Sequence, residues 1–363
     1  MGAPAHEIPV SSQWIFPVDA LQCTPSVATS SCSIPRELYD RARGVEFLFR
    51  LGSSLGLPSS AMFTAATWFH RFFMRFSMED YHRQQDVAAA CIFLATKTEE
   101  CGRKLRDVAR VCQSKITGAD VSHIPGESVA IEQQQVAILL AEGVLLEALC
   151  FDFVTTSPHA ILVDLFDAEQ TTVRVQDCAW SIAHDSYRTP LCILFSPSVI
   201  AAACFVLAQR ATDGPHSPSL DARISASPPS ASLPTPPSHK PASPDASRFA
   251  VEYFGFSETD LRHVADALSI ILEFYAAQDA HINAYVAPLA SIPPPTHSQR
   301  FKFYEAFSQI LAPIVNLTND SSLTPDSSYS NTSPAMTPSH AGAKADATMS
   351  EVPKKSLPRL DLS

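Results

Sequence analysis

The amino-acid sequence predicts an all-α fold made of two tandem five-helix repeats, with a disordered insertion and a disordered C-terminal tail. Apolar residues recur at helical spacing in successive segments between residues 36 and 277. A helix-start signal, Ser followed by Pro, occurs at Ser157-Pro158 and again at Ser196-Pro197, where the helical pattern starts anew. Stretches rich in Ser and Pro interrupt and follow the second repeat.

The first repeat is predicted over residues 36–154. Its first helix carries Val45, Leu48, Phe49, Gly52 and Leu55 at helical spacing and ends at Gly56-Leu57-Pro58. The second helix starts with Ser59 as its expected cap and is marked by Met62, Ala66, Phe69, Phe73 and Phe76.

Three more helices complete this repeat. Residues 83–102 form a helix rich in small residues, which we place at the centre of the bundle. A basic helix follows from Arg103 to about Lys115. The fifth runs from about Val129 to Leu149, with one expected apolar face: Val136, Leu139, Leu140, Val144 and Leu145.

The second repeat is predicted over residues 155–277. It contains a helix from about Val173 to Arg188 and an apolar helix from Val199 to Gln209. Another helix starts at Ser257-Glu258-Thr259-Asp260, which has the pattern of a capping box. Residues 213–247 are expected to be a disordered insertion, because their composition buries too little apolar area to offset the entropy of ordering.

The two ends of the chain flank these repeats. Residues 1–35 form an N-terminal segment in which Trp14-Ile15-Phe16 is apolar enough to dock on the first repeat. Residues 278–363 are expected to be a mostly disordered tail. Within it, residues 301–311 have the spacing of one short amphipathic helix, which could fold back on the second repeat or bind a third subunit.

Composition argues against several classes of protein. The net charge of −11 disfavours direct nucleic-acid binding, and the sequence contains neither GxGxxG nor GxxxxGK[ST]. None of the nine cysteines forms a CxxC pair, and several lie in apolar helices, as expected in a reducing compartment. No secretory signal is visible, and the longest apolar runs fall short of the ~18 to 20 residues of a membrane span.

The search for catalytic groups and metal ligands finds little. His184-Asp185-Ser186 has the letters of a triad, but consecutive helical residues point about 100° apart and cannot form a relay. No HExxH is present, and His70 and His82 lack ligand spacing. We therefore expect no catalytic residue, no cofactor and no metal site, with His70 a partly buried helix residue.

Charged residues that could bind a partner protein lie where the small-residue helix ends. Lys97-Thr98-Glu99-Glu100 places a lysine and two carboxylates at the rim of an apolar helix, where they can grip a partner's carbonyls and side chains. The alternative is a solvated C-terminal turn. Glu142 lies among leucines and valines, so its carboxylate needs a partner, for which Lys97 is a candidate.

Four sequence blocks in order resemble the cyclin family, within it the transcriptional branch of cyclins T and K and the beta subunit of fungal C-terminal-domain kinases. They are WFHRFFMRFSM (68–78), AAACIFLATKTEE (88–100), LLEALCFDF (145–153) and WSIAHDSYRTPLCILFSPSVIAAACFVLA (180–208). Trp14 with Thr24-Pro25-Ser26 resembles the N-terminal segment of that branch. The resemblance covers most of residues 13–277.

This resemblance implies two cyclin-box repeats and a non-catalytic subunit that binds and activates a cyclin-dependent kinase. It implies that Lys97 and Glu142 grip the mobile helix of the kinase, with Glu100 beside them. Leu94, Phe151 and Phe153 would supply the apolar part of the same surface.

The chain departs from cell-cycle cyclins at two places. His70 stands where they carry an acidic residue, and Arg41-Ala42-Arg43-Gly44-Val45 replaces their substrate-docking patch. We therefore expect no substrate docking through that patch and, since no destruction box is evident in residues 1–35, no periodic degradation. The loss of both features favours a constitutive nuclear role, in which the complex phosphorylates the C-terminal domain of RNA polymerase II during elongation. The alternatives are a cyclin C, H or L type partner of another transcriptional kinase and a TFIIB-like factor that binds DNA.

Several Ser-Pro and Thr-Pro pairs in the segments expected to be disordered are minimal sites for a proline-directed kinase. The alternative is that Ser and Pro are simply common in disordered chain. The candidate phosphosites are Ser217, Ser227, Thr235, Ser243 and Thr337.

Overall fold

The computed structural model describes residues 12–29, 32–81, 84–169, 171–225, 248–278, 286–296, 298 and 302–310. These residues belong to one compact unit, and within them every regular element is a helix. The prediction of an all-α fold is therefore confirmed. The predicted disordered residues 226–247 and 311–363 lie outside the described part of the chain.

The α-helices are α1 (Pro25–Thr29), α2 (Ile34–Ser54), α3 (Ser59–Phe72), α4 (Gln84–Thr98), α5 (Leu105–Thr117), α6 (Val129–Ala148), α7 (Pro158–Ala168), α8 (Val173–Ser186), α9 (Leu191–Leu194), α10 (Pro197–Asp213), α11 (Leu220–Ile224), α12 (Phe249–Phe254), α13 (Glu258–Ala277), α14 (Val286–Ala290) and α15 (Phe307–Ile310). Short 3-10 helices cover Ser12–Trp14, Val18–Cys23 and Val121–His123.

The first repeat consists of α2 to α6, with α4 at its centre. Ala88, Ala89, Ala90 and Cys91 on α4 are completely buried, so neighbouring helices approach its backbone closely. The structure places α2, α3, α5 and α6 in contact with α4. The small residues of this helix thus have the central position that the sequence predicts.

The second repeat is built around α10, whose residues from Ser198 to Gln209 are all buried. The expected caps are present, because Ser157 and Ser196 each accept a hydrogen bond from the first turn of α7 and α10. Ser257 and Asp260 form the predicted capping box of α13. Ser59 is not a cap: α3 starts at Ser59, and Pro58 occupies the N-cap position without a side-chain hydrogen bond.

The predicted insertion starts too early in the sequence. Residues 213–225 are described, and they carry α11, whose Leu220 and Ile224 are buried in the second core. The segment after α13 also packs back on the protein. Phe303 is buried, and Phe307 on α15 contacts Tyr39 of α2 with ring centroids 5.0 Å apart. The predicted folding back on the second repeat is observed over 302–310, where Tyr304 and Phe307 pack against Phe274 of α13, and α15 contacts the first repeat as well. Binding of a third subunit stays a prediction.

The N-terminal segment docks on both repeats rather than on the first alone. Trp14 is buried, and its indole Nε1 donates to Asp152 Oδ2 of the first repeat at 2.9 Å. Phe16 N donates to the carbonyl of Ile193 at 2.8 Å, and its ring packs on the second core. This segment therefore ties the two repeats together.

The Arg41–Val45 segment of α2 is buried except at Arg43, which is exposed and pairs with Glu46. Arg41 is fully buried: its Nε donates to Glu37 Oε1 at 2.8 Å, and its terminal nitrogens donate to the carbonyls of His70 and Phe73. Val45 is buried as well. A buried charge needs such partners, so the arginine that opens this segment is part of the interior.

Candidate functional site

The centre of the candidate site is an ion pair between α4 and α6. Lys97 lies in the last turn of α4, and its Nζ contacts Glu142 Oε1 on α6. The Glu142 side chain is 8% exposed, whereas the Lys97 side chain is 47% exposed. The Lys97 ammonium also lies 4.3 Å from the centroid of the Phe93 ring. The predicted partner of Glu142 is thus confirmed, and the ammonium keeps an open side toward solvent.

The two glutamates after Lys97 have different positions. Glu99 is exposed, and its Oε1 accepts a hydrogen bond of 2.8 Å from Thr64, which ties this carboxylate to α3. Glu100 is exposed, and its backbone has a φ of 53°. This left-handed residue ends the turn and presents its carboxylate at the rim, beside Lys97 in sequence. Glu100 therefore remains available to a partner.

A second strained turn follows α6. Cys150 and Phe151 have φ angles of 51° and 56°, which L residues with a side chain adopt at a cost of about 1–2 kcal/mol each. The Phe151 ring is 63% exposed, and Phe153 beside it is half-buried against Trp68, with centroids 5.7 Å apart. Backbone strain of this kind is common at functional sites, and here it occurs at a residue, Phe151, whose side chain is exposed to solvent.

The N-terminal segment anchors this turn. Trp14 and Gln13 both donate to Asp152 Oδ2, at 2.9 and 2.7 Å. Partial burial alone would raise the pKa of Asp152, but these hydrogen bonds outweigh it and the pKa is lowered. The Arg71 guanidinium lies 4.8 Å from the Trp14 ring and donates to the carbonyl of Val154. Gln13 and Trp14 on one side and Arg71 on the other therefore fix the segment 152–154.

Leu94 does not lie on this surface. Its side chain is 5% exposed and belongs to the core of the first repeat, so the prediction that it supplies surface is wrong. Phe93, one residue earlier, is half-buried under Lys97 and is the apolar residue of α4 at the rim. The sequence does not indicate whether Phe93 or Leu94 faces outward, because both are large apolar residues. The packing of the other helices around α4 decides it.

The predicted apolar face of α6 is also wrong. Of its five residues only Leu145 is buried and Val144 is half-buried, whereas Val136, Leu139 and Leu140 are 55%, 48% and 69% exposed. The helix is apolar on nearly every side, so periodicity cannot select the core face. The core face instead carries Ile131, Gln134, Ile138, Ala141 and Leu145.

The exposed residues define an apolar stripe, Val129, Val136, Leu139 and Leu140, that runs along α6 toward Glu142. Leu140 also lines a groove of about 330 Å³ between α6 and the start of α4. By length and composition α6 could cross a membrane, and 33% of its most apolar window is buried. A core helix of a soluble protein passes the same test, and α6 contributes Ile138 and Leu145 to the first core.

The structure brings together no catalytic or metal-binding group in the part of the chain it describes. No cluster of three His, Cys, Asp or Glu side chains is present among those residues. Ser186 donates to the Ala183 carbonyl, the His184 ring packs at a tilt against Phe49, and Asp185 accepts from Tyr275, so the three do not form a relay. His70 is fully rather than partly buried.

Comparison with known proteins agrees with this architecture. Residues 22–154 match the family model described as the cyclin N-terminal domain. Cyclin pch1 of Schizosaccharomyces pombe is 39% identical over 201 residues, which cover 54% of this chain and 58% of the relative. Human Cyclin-L1 is 35% identical over 210 residues (55% and 39%), and Cyclin-T1-3 of Oryza sativa subsp. japonica is 32% identical over 206 (55% and 41%).

The matched region thus spans between about two fifths and three fifths of these relatives. Among solved structures, a chain of the CAK complex of Chaetomium thermophilum bound to ATP-gamma-S has the same fold. It is 18% identical, with a TM-score of 0.50 over 79% of this chain and 88% of the other. The match over 22–154 and the two helical repeats lead to one conclusion: residues 22–154 of this chain are a cyclin N-terminal domain.

Proposed function

We propose that this chain is the regulatory, non-catalytic subunit of a cyclin-dependent kinase that phosphorylates the C-terminal domain of RNA polymerase II during elongation, in the nucleus. The observation that carries the proposal is the Lys97–Glu142 pair, in which a nearly buried carboxylate holds a lysine whose side chain is 47% exposed. Relatives named cyclin T and cyclin L support the choice of a transcriptional kinase.

The pair suits contact with the end of a partner helix. Lys97 keeps donors that Glu142 does not occupy, and these can bind backbone carbonyls of the kinase. Phe151, Phe153 and the apolar stripe of α6 would bury apolar area around that polar centre, and contact with the exposed carboxylate of Glu100 would add selectivity. In this proposal these residues contribute the apolar periphery and the charged centre of one kinase-binding surface.

Activation then follows from selective binding. A kinase whose mobile helix exchanges between outward and inward positions is shifted inward by a partner that binds only the inward position. In the inward position the catalytic Lys and Glu of the kinase can pair, and its activation loop becomes ordered. The chain needs no reacting group of its own for this role.

The proposal is tested by isolating the tagged protein from its own cells and assaying the eluate on heptad-repeat peptides of the polymerase. Beside the wild type we would assay Lys97→Ala/Glu142→Ala. The matched control is Arg36→Ala/Asp40→Ala, which removes an ion pair of 2.8 Å on α2 away from the candidate surface. We expect the wild-type and control eluates to phosphorylate the peptides. In the test variant we expect the affinity for the kinase to fall roughly 30-fold, so its eluate should contain less kinase activity.

Two results would contradict the proposal. A wild-type eluate without kinase activity would rule out a kinase partner. The next measurement would then be a salt-dependent gel shift with promoter DNA. An eluate active on other substrates but not on the repeat peptide would leave the cyclin role and remove the polymerase substrate.

A further inference from the structure

Ser217 lies beside an arginine in the loop that joins α10 to α11, residues 214–219. Arg210 on α10 directs its guanidinium into this loop, where Nη1 donates to Ser217 Oγ at 3.3 Å and Nη2 donates to the Pro215 carbonyl at 3.4 Å. The same Nη1 contacts the Gly214 carbonyl. Ser217 is followed by Pro218, and the hydroxyl is thus both in a Ser-Pro pair and within reach of a cation.

The charge of Arg210 is not neutralised by a carboxylate among the described residues. The neighbouring Arg223 differs, because its Nη2 pairs with Asp213 Oδ2 at 2.8 Å. That pair also occupies the Asp213 carboxylate, the acidic group closest in sequence to the loop. Among the described residues, the Arg210 guanidinium contacts two carbonyls and one hydroxyl. An anion at Ser217 would therefore meet a guanidinium that has no carboxylate partner in that part of the chain.

Opening the loop breaks a set of local hydrogen bonds. Ser217 is half-buried and Pro218 is exposed. The backbone N–H of Ser217 bonds to the Gly214 carbonyl within the same loop, and its Oγ donates to that carbonyl at 2.8 Å. Presenting residues 215–219 to an enzyme also breaks the contacts of Arg210, the bond from Arg223 Nε to the Pro218 carbonyl at 3.2 Å and the Ser219 cap of α11, while α10 and α13 keep their packing.

We propose that Ser217 is a phosphorylation site and that Arg210 is the built-in receptor for its phosphate. A proline-directed kinase transfers the γ-phosphoryl group of ATP to Ser217 Oγ; ADP leaves, and the hydroxyl proton passes to the base of the kinase. The phosphate adds a charge of about −1.5 to −2 and three acceptor oxygens. These replace the single weak contact of 3.3 Å with charge-assisted hydrogen bonds to Arg210 and fasten the loop to α10.

The proposal is independent of the kinase that this chain binds, since any proline-directed kinase could supply the phosphate. It also separates Ser217 from the other four candidates, Ser227, Thr235, Ser243 and Thr337, which lie outside the described residues.

The receptor is tested on the full-length chain with phosphoserine incorporated at position 217 during translation. We expect the thermal midpoint to rise by roughly 2–4 °C over the unmodified chain. In ³¹P NMR titrations the phosphate pKa should fall below its ordinary value of about 6, because Arg210 stabilises the dianion. Both effects should vanish in Arg210→Gln and persist in Arg262→Gln, which removes an exposed arginine of α13 instead.

Access is tested separately by incubating the native, unmodified chain with a purified mitogen-activated protein kinase, ATP and Mg²⁺, followed by mass spectrometry. We expect phosphate on Ser217 and none in Ser217→Ala at that peptide. The proposal is overturned if Ser217 remains unmodified in the native chain. It is equally overturned if phosphoserine 217 gives the same thermal midpoint and phosphate pKa in the wild type and in Arg210→Gln.

Discussion

His70 Nε2 lies 2.8 Å from the carbonyl oxygen of Tyr187, and this contact joins α3 of the first repeat to the end of α8 in the second. Burial, with the nearby charge of Arg41, lowers the pKa of His70 to about 3. The ring is therefore neutral at physiological pH, and Nε2–H donates to the carbonyl. The position that departs from cell-cycle cyclins thus serves to hold the two repeats together.

Replacing His70 tests this role. In His70→Ala the Tyr187 carbonyl loses its donor and a buried ring is removed, so we expect the free energy of unfolding to fall by about 2–4 kcal/mol. Urea unfolding followed by circular dichroism measures it. The control is His263→Ala, an exposed histidine of α13, which should change stability by about 0.5 kcal/mol or less. An equal effect of the two variants would contradict the assignment.

Stability should depend on pH through buried histidines. Burial lowers the pKa of His159 to about 4 and also lowers that of His184. The unfolded chain binds protons at these residues near pH 6.5, whereas the folded chain does not. Stability is therefore fully present above pH 6.5 and falls as the pH drops toward 4.

The slope of the free energy of unfolding against pH shows which buried histidines take up protons on unfolding. Each such histidine contributes up to about 1.4 kcal/mol per pH unit within the window. His159→Phe keeps an aromatic ring stacked on Phe63, 4.2 Å away in the wild type, and should flatten the curve measured by urea titration between pH 7.5 and 5. A slope identical to that of the wild type would show that His159 does not titrate on unfolding.

Two glycines of the first repeat should respond in opposite ways to alanine. A Cβ on Gly44 would lie 2.2 Å from Cζ of Phe69, which is fully buried, so Gly44→Ala should cost about 1–3 kcal/mol through overpacking. Gly143 on the exposed side of α6 has open space around it, and Gly143→Ala should add about 0.5–1 kcal/mol. Thermal unfolding of both variants checks the pair; a shift in the same direction would contradict it.

Phe151 should show a conflict between stability and binding. Asn accepts the left-handed backbone that Phe151 adopts at a φ of 56°, so Phe151→Asn should raise the free energy of unfolding by about 0.5–1 kcal/mol relative to Phe151→Ala. Both variants lose the exposed ring, and both should bind the proposed kinase more weakly in a pull-down assay. Unchanged kinase binding in both would remove Phe151 from the contact surface.

Much of the helical framework could be predicted from local chemistry. Ser157-Pro158, Ser196-Pro197 and the Ser257–Asp260 capping box start helices because a side-chain oxygen next to a first turn satisfies its free N–H groups. The alanines of α4 likewise indicate its central position, since small side chains suit close helix contacts. The sequence also predicts that Glu142 needs a cationic partner, because a carboxylate buried among leucines is costly without one.

Tertiary packing alone decided which apolar side chains reach the surface. On α6 nearly every side is apolar, so periodicity does not separate Leu145 from Leu140, yet one is fully buried and the other is 69% exposed. The position of α4 against one side of α6 makes that difference, just as it places Leu94 in the core and Phe93 under Lys97. Burial depends on neighbours distant in the chain, whereas caps and helical turns depend on residues three or four positions apart.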